Sequence, residues 1–98
     1  MHARVATFEG GDTEQVRQVF AEINRRSASG PPEGLPSVGL LMLHSPDDGK
    51  VIAISLFETP ETLEQGDAVL NAMEPPGPGN LGRRASVERY EVGIKLDA

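Results

Sequence analysis

Residues 38–57, VGLLMLHSPDDGKVIAISLF, decide how this chain reads. Two apolar runs, 38–44 and 51–57, flank the segment Ser45-Pro46-Asp47-Asp48-Gly49-Lys50. Proline presets a backbone angle suited to a turn, aspartate bonds its own backbone nearby, and glycine accepts a positive φ, so the segment predicts a β-hairpin. A calcium loop can begin with a similar Asp48-Gly49 step. Its remaining oxygen ligands and its closing glutamate are missing here, so the aspartates are assigned to the turn. Both parities of the two strands are apolar: Val51, Ala53 and Phe57 against Ile52, Ile54 and Leu56, and Leu41 and Leu43 against Leu40 and Met42. A sheet with one wet face carries polar residues on that face, so this hairpin requires cover on both sides.

Upstream, residues 4–9 (RVATFE) read as a short strand stopped by Gly10-Gly11. The period then changes. Asp12 is placed to cap a helix, Gln15 completes a capping-box pattern, and Val16, Val19, Phe20 and Ile23 share one helical face as far as about Ser27. The run from Ser29 to Pro32 ends that helix, and PPEGLP leads into the hairpin. Downstream, Thr59-Pro60-Glu61-Thr62 opens a second helix with a hydroxyl cap, a proline in the first turn and an acid near the positive end of the helix dipole. Leu63, Val69, Leu70 and Met73 supply its apolar stripe, Gly66 weakens it by about 1 kcal/mol relative to alanine, and it is expected to end near Glu74. Residues 74–82, EPPGPGNLG, are incompatible with regular structure and read as a loop. In the last segment Tyr90, Val92, Ile94 and Leu96 alternate with Arg89, Glu91, Gly93 and Lys95, which predicts a strand with one wetter face.

The order strand-helix-strand, twice, with right-handed crossovers, predicts an α+β fold of ferredoxin-like β-α-β-β-α-β type, with a four-stranded antiparallel sheet and two helices on one face. At 98 residues the chain is expected to form a single domain over 1–98. A core of that size leaves stability marginal, so a homodimer through sheet faces is the expected means of covering the second apolar face.

Composition narrows the function classes. Acidic residues outnumber basic ones, 15 to 9, which argues against nucleic acid as a partner because the net field repels phosphates. The chain has no cysteine, so disulfides, thiolate metal sites and thiol nucleophiles are excluded. The N-terminal residues lack a signal pattern and the apolar runs are too short to cross a bilayer, so no membrane is expected and the cytoplasm is the expected location. No phosphate loop and no nucleophile elbow occurs, so no cofactor and no metal are expected.

The element order, the length, the doubly apolar hairpin and the stretch VIAISLFETPETLEQ (51–65), with its step Phe57-Glu58-Thr59-Pro60-Glu61, resemble the dimeric α+β barrel superfamily, and within it the antibiotic-biosynthesis-monooxygenase-like domains. The resemblance implies paired sheets forming a barrel between subunits, with a pocket between sheet and helices in each. Family members that oxygenate aromatic polyketides or degrade haem use an Asn, a Trp and a His around that pocket. This chain has Phe57 at the expected Trp position, Gln65 near the expected second-helix His, and no Trp at all. Asn24, late in the first helix, is the position that keeps the pattern, and a polar residue on a solvated helix face is the favoured reading of it.

The histidines are His2, read as belonging to a frayed terminus, and His44, at the end of a hairpin strand. His44 is read first as a solvated cap of the hairpin end, with a general base or pocket ligand as the other reading. The candidate pocket residues are therefore Phe20, Asn24, His44, Phe57 and Tyr90, with no catalytic residue assigned. The motif losses favour a binder of a small apolar or aromatic metabolite. The alternatives are a cofactor-independent monooxygenase of the antibiotic-biosynthesis type using Asn24 and His44, and a non-catalytic oligomerisation or partner-binding module that makes contact through residues 31–36 and 74–82.

Overall fold

The computed structural model describes residues 1–28, 30, 34–73 and 80–97. Its elements run β1 (His2–Gly10), α1 (Thr13–Ser27), β2 (Gly39–Ser45), β3 (Lys50–Phe57), α2 (Pro60–Ala72) and β4 (Gly82–Glu91). The hairpin forms as its turn chemistry demands. Gly49 takes φ 66°. The Asp48 amide donates to the Ser45 carbonyl at 3.3 Å, and β2 pairs with β3 from Ser45 opposite Lys50 to Gly39 opposite Leu56. β1 enters between the hairpin and β4, giving one antiparallel sheet of order β2-β3-β1-β4. This is the ferredoxin-like arrangement expected from the order of the elements.

The apolar spacing of α1 buries Val16 and Val19 completely, with Phe20 and Ile23 beside them, against Phe8, Met42, Val51 and Leu81. That packing identifies the helix-covered side of the sheet. Since side chains alternate along strands, the pairing register puts Arg4, Ala6 and Phe8 of β1 and Val51, Ala53, Ser55 and Phe57 of β3 on that side. Val5, Thr7, Ile52, Ile54, Leu56, Leu41, Leu43 and Tyr90 occupy the other.

Caps hold the helices in place. Asp12 accepts a hydrogen bond from the Gln15 amide at 3.1 Å. The Gln15 side chain instead accepts from the Asn80 side-chain amide at 2.7 Å, tying α1 to the approach to β4. The reciprocal capping box is found on α2, between Thr59 and Thr62. There α2 stops at Ala72, short of Glu74, with Met73 as its cap.

Gly66 has a specific packing role. A Cβ there would lie 2.2 Å from the Phe57 ring, which is itself fully buried. The missing side chain lets α2 settle onto the ring. Gly66→Ala should therefore lower stability by about 1–3 kcal/mol through overpacking, although alanine is the better helix former by about 1 kcal/mol. A urea denaturation series reads the sign, and a stabilised variant would contradict this packing.

Two boundaries differ from expectation. β1 begins at His2, which pairs with Phe57 on one side and Glu91 on the other, so His2 belongs to the sheet and not to a frayed terminus. The last strand is Gly82–Glu91, earlier than the alternation of 89–96 suggests. β4 is held by β1, whose pairing ends at His2 opposite Glu91; one more bond, from the Val92 amide to the Met1 carbonyl at 2.9 Å, completes the ladder. The expected loop at 74–82 falls largely on residues 74–79, outside the described residues, as do 31–33 of the other proposed contact loop.

Candidate functional site

The five candidate pocket residues do not line one space. Phe20 packs into the α1 side of the core, with its ring edge-on to His44 at a centroid distance of 5.8 Å and 88° between planes. The Nε2 atom of His44 is buried there without a hydrogen-bond partner among the described residues. Asn24 is exposed on α1. Phe57 lies on the α2 side of the core, beneath Gly66. Tyr90 stands on the opposite face of the sheet, half exposed.

Two open hollows mark the described surface. The smaller, about 140 Å³, lies by the hairpin turn and is lined by Leu43, His44, Ser45, Lys50 and Ile52. The larger, about 330 Å³, is a cleft between the first turn of α2 and the paired ends of β1 and β4. Pro60 and Leu63 give it an apolar floor; His2, Glu64, Arg89 and Glu91 give it polar walls, and Tyr90, whose ring the register sets on the opposite face, borders it between them. Its volume falls at the lower end of the range of small-molecule sites. Tyr90 is the one member of the candidate set found here. His2, Leu63 and Arg89 were passed over because the cleft joins three elements far apart in sequence. The signal that could have found them is the capped start of α2 facing a strand rich in charge.

A charged network anchors the cleft's inner wall. The buried Arg4 side chain reaches across the sheet to α2, where Nε donates to Asp67 at 2.7 Å and Nη2 to Asn71 at 3.0 Å. Arg89 donates to the other Asp67 oxygen at 2.8 Å and also pairs with Glu64. The sheet register moves from Thr7 opposite Ser86 to Phe8 opposite Arg84, leaving Ala85 as a bulge. Arg84 is thereby turned to the helix side, where it donates to Asn71 at 2.6 Å. Asp67 and Asn71, four residues apart on α2, thus present one polar stripe to three guanidinium groups. The arrangement fixes α2 over the sheet and holds Arg89 in place beside the cleft.

No protein-family model matches this chain, and no curated protein matches it. Among solved structures it is similar to the solution structure of the C-terminal domain of the MgtC protein from Mycobacterium tuberculosis, at 18% identity and a TM-score of 0.39, over 91% of this chain and 83% of that one. So distant a likeness supports no statement about activity. What stands is a small α+β fold with a four-stranded antiparallel sheet and two helices. No helix among the described residues is long and apolar enough to cross a membrane. Nor do three His, Asp or Glu side chains gather among them in a way that would hold a metal ion.

Tyr90 donates its hydroxyl proton to Glu88 at 2.7 Å. That bond to the neutral phenol, with partial desolvation and the adjacent negative charge adding to it, raises the Tyr90 pKa above the ordinary phenol value. The shift favours the folded protein while the phenol stays protonated, and that advantage is lost as pH rises through the native pKa. Tyr90 is the chain's single tyrosine and there is no tryptophan, so an ultraviolet absorbance titration reads this one group. The midpoint should lie above that of the unfolded chain and fall in Glu88→Gln. Equal midpoints in the two proteins would refute the assignment.

Proposed function

We propose that this chain is a homodimeric binding domain of the dimeric α+β barrel kind. Two copies pair through their open sheet faces, and each offers the cleft beside Tyr90 to a small aromatic or apolar molecule bearing a polar group. The observation that supports pairing is the face opposite the helices. Leu41 is 54% exposed, Leu43 45% and Tyr90 50%, on the same side as Val5, Ile52, Ile54 and Leu56. An apolar surface of this kind on a small protein marks an interaction site. The cleft supplies the binding reading: Pro60 and Leu63 suit an apolar body, while His2, Arg89 and Glu91 suit a polar end. The monooxygenase alternative gains nothing from the geometry, since Asn24 is exposed on α1 and shares no hollow with His44.

Native mass spectrometry of protein taken directly from cell extract tests both halves of this reading. The expected species is a dimer carrying a small-molecule adduct that Arg89→Ala loses. A monomer at micromolar concentration overturns the pairing, and a bare dimer overturns the binding.

A further inference from the structure

The hairpin turn carries a chemistry that the candidate site does not use. Asp48 is the one aspartate or asparagine of the chain that is followed by a glycine. In such a pair the side-chain carboxyl and the next backbone amide can close a five-membered ring, and glycine has no side chain to hinder the approach. The fold leaves this pair accessible. Asp48 is exposed and lies between the strands, outside the ladder that begins with Ser45 opposite Lys50. Its own amide is used by the turn, donating to the Ser45 carbonyl at 3.3 Å. Its carboxyl accepts from the Ser45 hydroxyl at 3.3 Å. The Gly49 amide, by contrast, makes no backbone hydrogen bond among the described residues.

We propose that Asp48-Gly49 is a modification site of the folded protein, at which Asp48 isomerises spontaneously to a β-linked isoaspartyl residue and the turn is loosened from the end of β1. The Gly49 nitrogen attacks the side-chain carbon of the neutral Asp48 carboxyl. A C–N bond forms, a C–O bond breaks, and the carboxyl OH leaves as water with the amide hydrogen. Solvent water then opens the succinimide. Attack at the former side-chain carbonyl restores aspartate; attack at the former main-chain carbonyl leaves the backbone running through the side-chain carbon. The product has the mass of the starting chain and one more backbone methylene. The turn is seated too closely to absorb it. A Cβ at Gly49 would lie 3.3 Å from the Gly11 carbonyl oxygen and 3.8 Å from the amides of Gly10 and Gly11, so the backbone of Gly49 rests against the end of β1. Lengthening the link between Ser45 and Lys50 displaces Gly49 from that seat.

The test ages the folded full chain at neutral pH and physiological temperature in water enriched in heavy oxygen. Each passage through the succinimide places one solvent oxygen in residue 48, and peptide mass spectrometry should find the label there. An isoaspartyl methyltransferase with a labelled methyl donor should tag the same chains, and fragmentation should set the β-linkage at residue 48. The isoaspartyl fraction, separated by ion exchange, should melt below the fresh protein. Asp48→Glu, whose longer side chain would have to close a six-membered ring, should gain neither label and keep its melting temperature on ageing. Folded wild type that gains neither label at residue 48, whether or not the urea-unfolded chain does, overturns the site. Equal labelling of Asp48→Glu overturns the assignment to this residue, and an isoaspartyl fraction that melts with the fresh protein overturns the loosening of the turn.

Discussion

Leu41→Asp should separate the proposed sheet-face dimer into monomers, raising its dissociation constant by more than about 100-fold, a change of about 3 kcal/mol. Leu41 is more than half exposed in the single subunit, so the substitution removes little packing from the fold itself. In the paired state it places an unpartnered carboxylate between two apolar layers, where desolvation dominates. Concentration dependence of the melting temperature gives a second readout, because a dimer gains stability by mass action and a monomer does not. The wild type should melt higher as protein concentration rises, and Leu41→Asp should melt at one temperature throughout. Gln18→Asp, which adds the same charge at an exposed position of α1, should leave both measurements unchanged. Equal sedimentation of wild type and Leu41→Asp would remove the sheet face as the interface.

The second large effect concerns the buried guanidinium. Asp67→Ala should destabilise the fold by about 3–5 kcal/mol, a large share of the stability of a domain this size. The Arg4 side chain is 5% exposed and the Asp67 side chain 15%. Removing the carboxylate leaves a desolvated cation with the neutral Asn71 carbonyl as its remaining acceptor, and that carbonyl already serves Arg84. Arg4→Met should do less harm, about 1–2 kcal/mol, because the apolar stem is retained and Asp67 keeps its bond to Arg89 at 2.8 Å. Urea denaturation of the two variants reads the ranking. If Arg4→Met proves the more damaging, the buried charge is not what makes the pair matter.

Local chemistry made most of the fold readable in advance. The hairpin, the Asp12 and Thr59 caps and the apolar face of α1 each depend on residues within a few positions of one another, where turn and periodicity rules act directly. The boundary of β4 depends instead on its pairing with β1, and alternation alone does not carry that information. The same limit applies to the site. Phe20 and His44 do meet, but Phe57 is taken up by its contact with Gly66, and Tyr90 falls on the other face because of the register of β4 on β1. Strand parity assigns residues to two faces without saying which face meets the helices. Arg4 illustrates this most clearly. In the sequence it is a charged residue at the start of a strand, and its burial makes sense only once α2 supplies Asp67 and Asn71 above it.

The sheet order has a consequence for how the chain reaches this state. β1, first in sequence, lies inside the sheet, with His2 opposite both Phe57 and Glu91. The β2-β3 hairpin closes over a short turn and can assemble locally, whereas β1 waits for partners far along the chain, and closing such long loops slows folding. During that interval the hairpin presents two uncovered apolar faces and two open edges, the kind of surface that aggregates. Folding yield at high concentration should therefore depend more on how fast the N-terminal strand docks than on the stability finally attained.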